Sequence, residues 1–347
     1  MTSLTELVEV VIGVDTHVDT HTAAVVHAGT GAAVAELTVE ATAVGYAELV
    51  AFADELSGLR AWAIEGTGIH GAGLTRHLEQ AGEVVIELDR PERVQRRNGA
   101  KSDPLDAVRA AREALARPRF GTPRAAGDRQ ALSVLLAARR SAVESGTDAQ
   151  RQVFSLVIAA PESLRSRFRG QKIPAMLRTA AALRLHPSWD LETRTTVTVL
   201  RTLARRALSL ADEAGAHEKA ILTIVRTMRP DLLEEKGVGP IVAATVLCAW
   251  SHPGRIHSEA AFAMLTGVAP IPASSGKTTG RHRLNRHGDR QLNRALHVVA
   301  LSRLRYEERT RAYADRSTAQ GRSRRETIRC LKRYIARDLY RLLEHPA

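Results

Sequence analysis

Residues 1–116 carry an ordered series of short apolar runs and amphipathic stretches that few folds can accommodate. Val8–Val14 is apolar and rich in β-branched residues. After the turn-prone DTHVDT a second run spans Thr22–His27, and past a Gly-containing turn a third spans Ala33–Val39. Runs this short, joined this tightly, predict three strands in an antiparallel meander. The spacing then predicts a helix over 44–57, a strand over Arg60–Ile64, a helix over Ile69–Gln80, a strand over Val84–Leu88 and a helix over Pro104–Ala116.

The order βββαβαβα is that of an α/β RNase H-like (RuvC-like) domain, and it gives meaning to the positions of four acids. Asp15 ends the first strand in VIGVD and Glu65 ends the fourth in AWAIE. In an RNase H-like sheet these strands are neighbours, so both carboxylates emerge at one edge. KSDPLDA adds Asp103 and Asp106, three apart at a helix start and therefore on one helical face. Taken singly, Asp15 could open a turn, Asp103 could cap its helix and Asp106 could complement the helix dipole. Taken together they form a cluster that repels itself unless cations neutralise it, and hard oxygen ligands suit Mg2+ or Mn2+. Two such ions can stabilise the attacking and leaving oxygens of a phosphoryl displacement.

A competing pattern lies beside these acids. Gly66, Gly68 and Gly71 form GTGIHG after a strand and before a helix, with Glu87 and Asp89 about 20 residues on, as a dinucleotide-binding fingerprint requires. Here the glycines follow the fourth strand rather than the first, Glu65 would face the pyrophosphate, and a basic C-terminus would go unexplained. Close strand-to-helix packing is the simpler role for them.

Two long helical stripes follow, Leu132, Leu135, Leu136, Val143, Phe154, Val157 and Ile158, then Leu200, Leu203, Leu208, Ile221, Val225 and Met228. They are separated by a connector punctuated by Pro161, Pro174 and Pro187. They predict an extended, coiled-coil-like antiparallel arm. From Glu235 the texture changes to short helices and Gly/Pro-rich turns, a mostly α C-terminal domain. The expected division is 1–120 for the α/β domain, 121–233 for the arm and 234–347 for the C-terminal domain.

Charge separates these parts. The chain holds 50 Lys and Arg against 38 Asp and Glu, and the whole surplus falls after residue 250, where 20 basic residues face 8 acidic ones. Such a segment is suited to a polyanion. Two cysteines, Cys248 and Cys330, are too few for a disulfide framework and lack the spacing of a zinc site. With no signal peptide pattern and no run long enough to span a bilayer, a cytoplasmic setting without membrane contact is expected.

Two C-terminal motifs bear on the polyanion. EEKGVGPIVAATVLCAW resembles a helix-hairpin-helix, whose turn offers backbone N–H groups to a phosphate. LTGVAPIPASSGKTTGRHRLNRHGDRQLNRAL carries paired serines in a Gly-flanked loop, a dense run of Arg and His, and Asp289 placed to cap a helix. Together with VIGVD, AIEGTG and KSDPLDA, this series resembles the DEDD insertion-sequence transposases related to the Piv/MooV invertases, the bridge-RNA-guided recombinases. The likeness covers both ends of the chain in order and leaves the arm unmatched. It implies that Asp15, Glu65, Asp103 and Asp106 hold Mg2+ or Mn2+ in a RuvC-like site, and that Ser275, with Ser274 adjacent, is a nucleophile forming a phosphoserine link to DNA.

The resemblance further implies donor and target DNA as substrates, a structured non-coding guide RNA as partner, and a homo-oligomer, dimer or tetramer, in which Ser275 reaches the carboxylates of a neighbouring subunit. His282 and His287 are candidates for assisting the serine or touching phosphate, with solvated roles as the alternative. Two rival readings are a Holliday-junction-type nuclease, which would use water in place of the serine, and a non-catalytic nucleic-acid scaffold, which would need neither.

Overall fold

The computed structural model describes residues 3–88, 103–273, 282–285 and 287–345, and groups them into two compact units, Met1–Ala126 and Gly127–Ala347. In the first unit a one-turn helix α1 (Leu4–Leu7) precedes β1 (Val10–Thr16), β2 (Thr20–His27), β3 (Ala33–Glu40), α2 (Ala43–Asp54), β4 (Arg60–Glu65), α3 (Ala72–Gln80), β5 (Val85–Leu88) and α4 (Asp103–Ala116). The predicted order of elements is present. Only α1 is added, being too short to show a period.

The five strands form one mixed sheet in the order β3-β2-β1-β4-β5, antiparallel across β1, β2 and β3 and parallel across β1, β4 and β5. Position explains composition. Central β1 is buried on both faces and reads as the continuous run VVIGV, whereas edge strand β3 alternates exposed and half-buried residues. One face, carrying Ile12, Val14, Trp62 and Ile64, is covered by Leu49 and Ala53 of α2 and Leu74 and Leu78 of α3. The other, carrying Val11, Ala61, Ala63 and Ile86, is covered by Ala110, Ala111 and Ala114 of α4.

Gly13 sets the spacing on that second face. A Cβ there would stand 2.6 Å from the backbone nitrogen of Ala111, and closer still to the carbonyl oxygen of Ala107. Only a glycine opposite an alanine stripe lets the helix axis come this near the sheet. At the far edge, Glu83 accepts from Arg60 Nε at 3.0 Å and from Trp62 Nε1 at 2.8 Å, which ties β4 to the start of β5.

The second unit begins with α5 (Asp128–Ala159) and continues through α6 (Glu162–Arg165), α7 (Ile173–Ala181) and α8 (Leu191–Met228). Arg139 Nη2 donates to Glu218 at 2.8 Å while Gly146 lies against Leu210, so α5 and α8 run antiparallel. At 1.5 Å per residue their 32 and 38 residues extend ~48 and ~57 Å. Asp190 starts α8 by accepting from Thr193 N at 2.7 Å.

The buried stripe of α5 differs from the one expected. It runs through Leu132, Ala142, Gly146, Ala149, Val153 and Val157, while Val143, Phe154 and Ile158 are exposed. Small residues win the interface because two long helices approach most closely where side chains are shortest. The connector adds its own core at the tip, where Leu164, Phe168, Met176 and Leu177 pack on Val153, Val157 and Leu200.

Among the described residues the unit continues with α9 (Asp231–Glu234), α10 (Pro240–Trp250), α11 (Glu259–Leu265), a two-stranded ribbon of β6 (Pro270–Pro272) and β7 (His282–Leu284), α12 (Arg290–Tyr306), α13 (Glu308–Ala319) and α14 (Arg324–Glu344). Leu132, Ile221 and Val225 from the base of the long pair share one core with Leu247, Phe262, Leu296 and Ile335. The boundary expected at 233/234 therefore falls inside a continuous core. Among the described residues Cys248 and Cys330 form no disulfide, and Cys248 Sγ donates to Arg129 O at 3.6 Å. Among the described residues no helix is long and apolar enough to cross a membrane.

Candidate active site

Strand pleating decides which side chains of β1 meet α4. Val11 faces the α4 layer and Ile12 and Val14 the other, so Gly13, Asp15 and His17 follow Val11 onto the α4 side. On the helix, Asp103 precedes Ala107 by one turn, and Ala107 is the residue seated on Gly13. The close Gly13 contact thereby carries the first turn of α4 to the carboxyl end of β1. His17 Nε2 lies 3.2 Å from Asp15 Oδ2 and 3.5 Å from Asp103 Oδ1, and one ligand atom from each of the three residues falls within 4.8 Å of the others.

Asp15 is the most enclosed of the three, with its side chain 17% exposed against 46% for Asp103. Asp106 lies on the same turn of α4 and pairs with Arg109 at 2.7 Å. Both helix acids sit where the N-terminal dipole favours negative charge. Glu65 ends β4, one residue past the Val14↔Ile64 pair that closes the β1–β4 register, with its backbone oxygen accepting from Thr16 Oγ1 at 3.0 Å. It has the parity of Ala61 and Ala63, and so shares the α4 side with Asp15. Asp15 and Asp103 thus come together directly, with Glu65 on the neighbouring strand end and Asp106 one step along the helix.

His17 is the member that sequence reasoning did not single out. The signal was its place two residues beyond Asp15 on a strand, where period two returns to the same face. Two carboxylates and an imidazole this close fit a divalent cation. Carboxylate oxygens suit Mg2+ or Mn2+, and an imidazole nitrogen shifts the preference toward a transition ion.

On the opposite face, β2 places His21 fully buried, its ring stacked on Tyr46 at 5.6 Å between centroids and its Nδ1 2.9 Å from Thr20 O. Burial holds it below its ordinary value. It is packed within the fold and lies outside the acid cluster.

Of the three glycines in the turn, Gly71 alone is closely packed, a Cβ there standing 3.0 Å from Ile64 Cγ2, while Gly68 borders open space. Gly66 takes a positive φ of 73°, α3 starts after Gly71, and Thr67 Oγ1 donates to Glu87 at 2.7 Å, committing the acid that a ribose would need. Asp89 lies outside the described residues, as do Ser274 and Ser275. The ribbon that brackets the serines is described: β6 and β7 pair from Pro270↔Leu284 to Pro272↔His282.

At the base of the ribbon, Gly288 sits against the Gly267 backbone with no room for a Cβ. Asn285 Nδ2 donates to Met264 O at 2.9 Å, and Asn293 Nδ2 donates to Thr266 O at 2.7 Å. Asp289 caps α12, accepting from Gln291 N and Leu292 N at 2.8 and 2.9 Å. These contacts account for the Gly, His-Gly and Leu-Asn-Arg spacing of the second motif. His282 and His287 are both exposed. The hairpin-like turn before α10 follows a helix of a single turn, and Arg303 Nε ties it to α12 through Lys236 O at 2.9 Å.

Comparison with known proteins draws these parts together. Residues 12–158 match the transposase model for the DEDD enzymes of IS110, and residues 230–315 match the Transposase IS116/IS110/IS902 family. Over these two segments the chain is similar to DEDD insertion-sequence transposases. The DEDD transposase segment carries all four acids and α5, and the second match carries the ribbon and the start of α13.

Among curated relatives, the chain is 30% identical over 158 residues to the 42 kDa protein of insertion element IS900 from Mycobacterium paratuberculosis. It is 28% identical over 147 residues to the 43.6 kDa protein of insertion element IS110 from Streptomyces coelicolor. These stretches cover 43% and 42% of this chain and 40% and 36% of the relatives. The chain thus spans about two fifths of the length of the curated relatives it matches.

Proposed function

We propose that this chain is a transposase that cuts and rejoins DNA by metal-assisted attack of Ser275, with an RNase H-like N-terminal unit supplying the carboxylates. The observation that carries this reading is the meeting of Asp15, His17 and Asp103 at the end of the central strand, in a chain similar to this family. The strand order β3-β2-β1-β4-β5, with an antiparallel meander feeding parallel neighbours, supports the RNase H-like assignment.

In the proposed site Asp15, Glu65, Asp103 and Asp106 hold the cation, Mg2+ or Mn2+, and His17 either joins them as a ligand or orients Asp15. When bound, the ion offsets negative charge developing on the phosphoryl oxygens. The serine Oγ–P bond forms as the P–O3′ bond breaks, leaving a phosphoserine and a free 3′-hydroxyl, and reversal of the step onto a new strand preserves the phosphodiester energy. The basic surplus after residue 250 supports contact with DNA and with a structured non-coding guide RNA. Exposed Val143, Phe154 and Ile158 on α5 favour assembly of two or more copies through the arm.

The test is a denaturing gel for covalent protein–DNA adduct, with element-end DNA and the RNA transcribed beside the gene. Ser275→Ala removes the adduct, Ser274→Ala leaves it, and Asp15→Asn removes it while binding persists. Cleavage with full activity in EDTA, or without any adduct, would favour the water-using nuclease. Equal recombination after RNase treatment and repurification would remove the RNA.

A further inference from the structure

We propose that a cleft between α12 and α14, at the base of the ribbon, is a binding site for a single nucleic-acid phosphodiester, with Lys332 and Arg329 as its principal cationic contacts. The cleft encloses about 410 Å³. Apart from Asn285, its polar lining comes from two helical stripes, Arg290, Asn293 and His297 on α12 and Arg325, Arg329 and Lys332 on α14. Spacings of three, four and seven residues bring each set onto one face. None of its lining residues is acidic.

Several arginines of this unit are matched to acids: Arg229 with Asp231, Arg303 with Glu235, and Arg333 and Arg341 with Glu259. In the cleft, no ion pair joins Arg290, Arg325, Arg329 or Lys332 to a carboxylate among the described residues. Glu326, the acid nearest to Arg329 along α14, is bonded to Ser323 in the capping box, which holds its carboxyl below the ordinary value, and the charges of Arg329 and Arg322 add to that in lesser part. By contrast, Lys332 has no acid among its named contacts. Lys332 is half-buried and donates to Asn293 Oδ1, a neutral acceptor, while Asn293 is itself anchored to Thr266 O. Burial, with Arg329 adding repulsion, lowers the lysine below its ordinary value.

A cationic group withdrawn from water without an acid beside it is a standing cost, offset when an anion arrives with several acceptor oxygens. A phosphodiester suits a cleft of this size and donor set, because Lys332 and Arg329 supply point-charge and forked donors while the α12 residues close the other side. The proposal rests on the nucleic-acid reading above, and DNA and RNA present the same group.

The experiment measures binding of the full chain to a labelled DNA duplex and to a labelled RNA of equal length, across a salt series. It compares native protein with Lys332→Gln, Arg329→Gln and a control, Arg169→Gln, whose guanidinium is already paired with Glu162. Each cleft substitution lowers the salt-dependence slope by about 1 for the polymer that fills the site, independent of its sequence, and the control leaves the slope unchanged. A second readout is acetylation followed by mass spectrometry, in which that polymer protects Lys332. It needs no variant and is unaffected by any folding defect. Native binding with unchanged slopes in both variants and no protection of Lys332 overturns the cleft but leaves the nucleic-acid reading standing. Failure of the native chain to bind either polymer overturns both.

Discussion

Substituting Gly13 by alanine tests whether the acid cluster depends on the sheet-to-helix approach. The added Cβ would stand 2.6 Å from Ala111 N and nearer still to Ala107 O, whereas ordinary van der Waals contact begins at 3.4 Å, so α4 has to recede by at least about 1 Å. Overpacking of this kind costs ~1–3 kcal/mol, and neither β1, paired on both sides, nor the alanine stripe has a flexible side chain to yield. The displacement is passed on to Asp103 and Asp106, which ride on the first turn of α4, while Asp15 stays with the sheet. Misplacing catalytic groups by about 1 Å costs on the order of 100-fold in rate.

Gly13→Ala therefore lowers the melting temperature of the first unit by several degrees and reduces metal-dependent adduct formation roughly 100-fold, with weaker divalent-ion dependence. Thermal unfolding by circular dichroism and single-turnover adduct formation across a Mn2+ titration read the two effects. Native melting together with native adduct formation would refute the packing argument. A stability loss with unchanged chemistry would show that the acids do not act from α4.

Two further outcomes follow from named contacts and a third from the proposed serine chemistry. Glu83→Gln weakens the bonds from Arg60 and Trp62 and costs the first unit ~1.5–3 kcal/mol in urea unfolding, and an unchanged midpoint would deny that this junction closes the sheet. His21 is held below its ordinary value of 6.5 chiefly by burial, so the unfolded chain takes up its proton first as pH drops. Stability is full above about 6.5 and declines below it, and His21→Phe flattens that decline. Finally, mixing Asp15→Ala chains with Ser275→Ala chains, each inactive alone, forms adduct on the Asp15→Ala protein if the serine acts in trans, and none from verified mixed oligomers if it acts in cis.

The alternation of the first 88 residues determined the order of strands and helices, because period two and period 3.6 are local properties written in neighbouring side chains. The same local logic marked Asp15, Glu65, Asp103 and Asp106, since strand ends and a helix start are visible in the chain. The charge surplus after residue 250 was likewise a matter of counting. Tertiary structure alone decided that His17 stands between Asp15 and Asp103, because that meeting depends on how closely α4 approaches Gly13. It also decided the stripe of α5: the large residues Val143, Phe154 and Ile158 matched a helical period, yet the smaller Ala142, Gly146 and Ala149 were buried against α8. The unpaired cations of the cleft belong to the same class, since α12 and α14 are separate in sequence and share a cleft only in the folded unit. Periodicity names the face a helix offers. Which partner it meets, and how near, is set by the mutual packing of elements distant in the chain.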